Sequence, residues 1–156
     1  MLPLTRLLPW ALALACGAVF TGQLLLKGVE QDRIRQAMAD AFNRPNDPVT
    51  VAPLVMQGEH AVVGWIQGGQ GGRTILRKLQ GQWNIVVCGG RSLKDAANLA
   101  QTGIPMPTAI SMAESLASAE AKLDAETLKK FALFDGVTPT DAPPGINHLA
   151  SPEAAR

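Results

Sequence analysis

The sequence predicts an α+β domain. Three observations carry that expectation. The apolar period changes from helical to alternating near residue 49 and returns to helical after residue 90. The four strand candidates between those points are joined by connections too short for parallel pairing, which needs a crossover of a dozen or more residues. Helix start signals then recur on three successive segments. The expected order is an amino-terminal helix, a four-stranded antiparallel β-meander, and two to three helices packing on one sheet face.

The amino terminus comes first. In "MLPLTRLLPWALALACGAVFTGQLLLKG", Arg6 precedes a run without charge over residues 7–26, and Lys27 follows it. A basic start before an apolar run is the pattern of an export signal. The run offers three outcomes: a membrane anchor just long enough to span as a helix, cleavage after Ala13-Leu14-Ala15, or lipidation at Cys16. All three place the rest of the chain outside the cytoplasm. Lys27, Arg33 and Arg35 rival Arg6, so flanking charge leaves the orientation open. The domains read as 1–27, an export signal or anchor; 28–136, a small α+β domain; and 137–156, a disordered Pro-rich tail.

"EQDRIRQAMADAF" sets Ile34, Ala37, Met38, Ala41 and Phe42 on one helical face, and "NRPNDP" stops it. Residues 49–56 alternate, with Pro53 marking an edge or bulged strand. Residues 60–67, 73–80 and 83–88 follow. The last places Trp83, Ile85 and Val87 on one face and Asn84, Val86 and Cys88 on the other. Gly81-Gln82 suits a type II′ turn. "SLKDAANLAQTGIP" reads as a short helix with Ser92 as N-cap. "PTAISMAESLASAEAKL" is a helix capped by Thr108, and "DAETLKKFALFDG" is one capped by Asp124. Residues 137–156 contain four prolines and little apolar content.

Composition removes several function classes. A net charge of +1 supplies no basic field for nucleic acid. Aromatics at 4% and no tyrosine argue against stacking platforms for single strands. Two cysteines, one in the targeting segment, make no disulfide framework.

The stretch "HAVVGWIQGGQGGRTILRKLQGQWNIVVCGG" concentrates the chemistry. Its "GGQGG" is followed by a strand, whereas a dinucleotide fingerprint needs a helix there and a phosphate loop needs Gly-Lys-Ser/Thr. It reads as a flexible hairpin loop, with Arg73 a solvated strand terminus. Cys88, at a strand end before a helix, reads as a small buried hydrophobe. A thiol nucleophile would need a positioned base, and the chain has only His60 and His148. Glu114 and Glu120 are spaced as solvated helix residues. Trp65, Trp83 and Met112 read as core filling. Met56 and His60 flank the first hairpin turn. If Cys88 reached them, thioether, imidazole and thiolate would suit Cu(I), which favours soft ligands. A sequential meander opposes this, because it sets Cys88 roughly one strand length, 17–20 Å, from His60.

The run "AVVGWIQGGQGGRTILRKLQGQWNIVVCGGRSLKDA" resembles the bacterial family called copper uptake system-associated proteins. Trp65, Gln67, Gly68, Gly71-Gly72-Arg73, Trp83, Cys88-Gly89 and Leu93-Lys94 carry the resemblance, which extends from the helix around Ile34 to the helix ending near Phe134. It implies a small exported protein accompanying a copper-acquisition system, with copper-transport proteins as partners. It supplies no catalytic or metal-binding set, and the anchor-like start and Pro-rich tail depart from the family's compact form. The expected function is therefore a non-enzymatic periplasmic accessory, tethered or free, acting by partner contact or by binding copper. Any copper is expected as Cu(I) on some of Met56, His60 and Cys88. The alternative is a periplasmic interaction domain of an inner-membrane complex with no metal role. An enzyme would require an activated Cys88.

Overall fold

The computed structural model describes residues 15–134 and 137–139, with side chains over 25–134. The chain divides into two compact units, 1–32 and 33–156. Helix α1, Ala15–Phe42, begins in the first and ends in the second. Within the first unit, Leu25 and Leu26 are 72% and 68% exposed. The anchor or signal expected over residues 1–27 lies largely outside the described residues. Among the described residues, no helix is long and apolar enough to cross a membrane.

The second unit is built on a sheet of order β1-β2-β3-β4-β5. Its strands are β1 (Thr50–Gln57), β2 (His60–Gln67), β3 (Gln70–Leu79), β4 (Gln82–Gly89) and β5 (Val137–Pro139). All neighbours are antiparallel. The first four form the expected meander, since two-residue turns leave no other arrangement. Gly58 at φ 58° and Gly68 at φ 57° supply the left-handed backbone of the first two turns. In the third turn Gln80 and Gly81 both have positive φ, which makes it type I′ around Gln80-Gly81 in place of the expected type II′. Pro53 lies on an edge strand whose register shifts between Val51 and Leu54, where its missing N–H costs no ladder bond.

After the sheet, a 3-10 turn (Arg91–Lys94) leads into α2 (Ala96–Gln101), α3 (Met106–Glu120) and α4 (Ala125–Phe131). Asp124 caps α4 as expected, accepting a 2.8 Å bond from the Thr127 amide. α3 starts two residues before Thr108, with Pro107 in its first turn, where proline's missing N–H is harmless. Leu99, Ala109, Met112 and Leu116 pack on Val55, Val62, Ile75 and Val87. On the opposite face of the sheet, Ile34 and Met38 of α1 pack on Ala61, Val63, Leu76 and Trp83. The sheet is thus covered on both faces, by α1 on one and by the later helices on the other.

One irregularity reassigns faces in β4. Ile75 pairs with Val87 and Leu76 with Ile85, so Val86 is an extra residue in the strand. Trp83 and Ile85 face α1, whereas Val87 joins the core under α3. Cys88 then pairs with Thr74 on the α1 face. Strict alternation had separated Cys88 from Trp83. The bulge returns it to Trp83's side. The tail expected from residue 137 begins with three residues paired on β4, and residues 140–156 lie outside the described residues.

Candidate functional site

The sheet has two unlike ends. At one, the turn of Gly68-Gly69 leads into Gly71, Gly72 and Arg73, beside Gly89 and Gly90. Here glycine permits close approach of backbone. A Cβ on Gly64 would lie 2.6 Å from the Phe131 ring and 2.8 Å from the Ala52 carbonyl oxygen. A Cβ on Gly71 would lie 3.2 Å from that of Lys130. A Cβ on Gly90 would collide with the Phe134 carbonyl. These absences let α4 settle on the sheet. Gly71 and Gly72 are buried strand residues, so the expected flexible loop is limited to the turn itself.

Arg73 is 4% exposed and Glu120 8%, correcting the reading of both as solvated. Arg73 donates from Nε to Oε1 of Glu120 at 2.7 Å and from Nη2 to Oε2 at 2.8 Å. Its Nη1 donates to the Gly90 carbonyl at 2.9 Å, and its guanidinium lies 5.4 Å from the Phe131 ring centroid. The fork geometry satisfies both carboxylate oxygens at once. This ties the end of α3 to the centre of the sheet. On the other face, Trp65 stacks on Phe42 with centroids 6.4 Å apart and meets Phe134 edge-on at 5.9 Å. Its indole Nε1 is buried with no hydrogen-bond partner among the described residues. Gln67 donates to the carbonyls of Phe42, at the end of α1, and of Asp47.

Cys88 belongs to this closed end. It is 5% exposed, and its sulfur lies 3.2 Å from the Thr74 hydroxyl. Burial pushes the thiol pKa up, and the Thr74 hydrogen bond offsets this in part. A raised thiol pKa disfavours the thiolate, the form that attacks as a nucleophile.

Met56 and His60 sit toward the opposite end. Met56 pairs with Ala61 and packs in the α1-side cluster. His60 pairs with Gln57 and Arg77 on the other face, the face where Gln57 Nε2 donates to Ser111 of α3. Burial, then the nearby Arg77 charge, lower the His60 pKa, while Glu59 opposes them.

The three soft ligands do not converge. His60 lies level with Arg77, whereas Cys88 lies level with Thr74, three residues away and two strands over. At about 3.4 Å per residue and about 4.8 Å per strand, that is roughly 14 Å, and the two side chains leave opposite faces. Met56 and His60 are also on opposite faces. The residues present therefore do not fit a shared copper site. Among the described residues, no group of three or more His, Cys, Asp or Glu could hold a metal ion.

An open groove of about 590 Å³ lies between α1 and the start of β4. Ala37, Trp83 and Ile85 are part of its lining, with Arg33, Asp40 and Asn84 among its polar groups. Sequence reasoning missed it, because helix and strand are some fifty positions apart. Comparison with known proteins returned no matching family model, no matching curated protein and no matching solved structure.

Proposed function

We propose that this chain is a non-catalytic accessory of a bacterial copper uptake system. In this reading it is exported, held at the membrane by its amino-terminal segment, and acts by contact with a copper-handling partner. The observation that favours contact over metal binding is the separation of Met56, His60 and Cys88 across faces and ends of one sheet. The copper assignment rests on the resemblance over residues 61–96. Of the residues that carry it, Gly71, Gly72, Arg73, Cys88 and Gly89 build the closed end, and Leu93 enters the core. They explain a shared scaffold, which leaves the surface to meet the partner.

The test is copper accumulation under copper limitation, in a strain lacking the gene and in strains complemented with variants. Wild type, His60→Ala and Cys88→Ala are expected to restore cell copper equally. A form released from the membrane by a cleavable signal is expected to fail. Direct Cu(I) binding predicts that His60→Ala or Cys88→Ala fails while folded. Unchanged copper without the gene would instead support a periplasmic interaction domain with no metal role.

A further inference from the structure

β5 is unlike the other strands of the sheet. β1 to β4 have eight to ten residues each, whereas β5 has three and, among the described residues, pairs with β4 alone. Val137 lies opposite Gly89, Thr138 opposite Cys88 and Pro139 opposite Val87. Rungs of an antiparallel ladder alternate between hydrogen-bonded and non-hydrogen-bonded pairs. Proline cannot donate, so it suits a non-hydrogen-bonded rung of an outermost strand, with its nitrogen turned away from the neighbour. By parity, Val137–Gly89 is a rung of the same kind. Thr138–Cys88 is then the rung at which the two backbones exchange hydrogen bonds.

We propose that β5 is a strap that detaches from β4 while the other four strands stay paired, and that this opening uncovers Cys88 without global unfolding. Cys88 is 5% exposed, and a strand flanks it on each side. On one side is β3, where the Thr74 hydroxyl lies 3.2 Å from its sulfur. That side is held by the full lengths of β2 and β3, with Thr74 itself 0% exposed. On the other side is β5, held through one hydrogen-bonded rung. Local opening costs least where the fewest ladder bonds hold a segment. The chain ahead of the strap stays in place, because the Phe134 carbonyl rests against Gly90 and the Phe134 ring meets Trp65. Release therefore presents the thiol together with the open backbone edge at residues 87–89, an edge that another strand can join. The closed strap conceals both. The inference is independent of copper.

The experiment is labelling of the native full chain with iodoacetamide, read at the Cys88 peptide by mass spectrometry, in wild type, Thr138→Pro and Val137→Pro. Thr138→Pro removes the strap's inward N–H, so labelling should be about three- to tenfold faster, the effect of one lost hydrogen bond. Val137→Pro removes an N–H that faces outward, and it should label like wild type. Hydrogen exchange of β2 should be the same in all three proteins, which shows that the sheet stays folded. In wild type, the labelling rate should depend far less on urea than β2 exchange does, because a three-residue opening exposes little surface. That measurement decides by itself if a variant fails to fold. Equal labelling of Cys88 in wild type and in folded Thr138→Pro overturns the proposal. So does wild-type labelling with the urea dependence of β2 exchange, which would make global unfolding the route to the thiol.

Discussion

The two ends of this sheet solve the same packing problem in opposite ways. At the glycine-rich end, the backbone itself is the contact surface. Gly64 lies under Phe131, Gly90 under the Phe134 carbonyl, and a guanidinium–carboxylate fork sits between sheet and helix. At the other end, side chains of moderate burial fill the space. Gln57 reaches Ser111, His60 stands beside Arg77, and turn residues Gln80 and Gly81 are exposed. A contact made by the absence of a side chain cannot relax when one is added. A contact made by a flexible side chain can. The first end should therefore tolerate almost no substitution and the second should tolerate many.

The sharpest way to break this contrast is Glu120→Ala. It leaves Arg73 charged, 4% exposed and deprived of two of its three hydrogen-bond acceptors. Removing one partner of a buried pair costs about 3–5 kcal/mol. Urea unfolding of wild type and variant should show that loss in the midpoint. The double replacement Arg73→Met with Glu120→Leu should recover most of it, because apolar replacement of both partners removes the desolvation penalty. If the single change costs under about 1 kcal/mol, as exposed pairs do, the fork is not the clamp described here.

A smaller effect is expected from Gly64→Ala. The methyl would meet both the Phe131 ring and the Ala52 carbonyl oxygen, one in α4's core face and one in the edge strand. Overpacking of this kind costs about 1–3 kcal/mol. Gly64→Ala with Phe131→Leu should be less destabilised than the sum of the two single changes, since the pair shares one space. Strict additivity would mean that the ring does not set the requirement for glycine.

This contrast was only partly legible in the sequence. The meander could be read because its turns are local: Gly58, Gly68 and Gly81 announce them within two residues. The apolar stripe containing Ile34 and Met38 was also local, and both residues are fully buried. The Arg73–Glu120 fork joins positions 47 apart, and each residue alone has the spacing of a solvated charge. Nothing nearby signals the partner. The Val86 bulge reverses the face of every later residue in β4, yet "NIVVC" alternates well enough to hide it. The distance of Cys88 from His60 along the meander was legible in the sequence, whereas the bulge that puts Cys88 on the face opposite His60 was not. The second covered face depends on where α1 returns, which periodicity does not specify.

At the open end the expected effect is smallest, and it lies in pH. His60 has a folded pKa below the ordinary 6.5, first because of burial and then because of Arg77. A histidine with a depressed folded pKa binds protons more readily in the unfolded chain. Its contribution to stability is therefore fully present above the unfolded value near 6.5. That contribution is lost as pH falls from there through the folded pKa, and it becomes constant below it. Melting temperature measured from pH 8 to pH 5 should fall slightly more in wild type than in His60→Gln, with the curves parting below pH 6.5. The direction matters more than the size, since much of the imidazole faces solvent that screens Arg77. A melting temperature that rises with acid in wild type relative to His60→Gln would mean that Glu59, not burial and Arg77, dominates the imidazole. That outcome would make this end a charge-paired site like the other, and the contrast between them would fail.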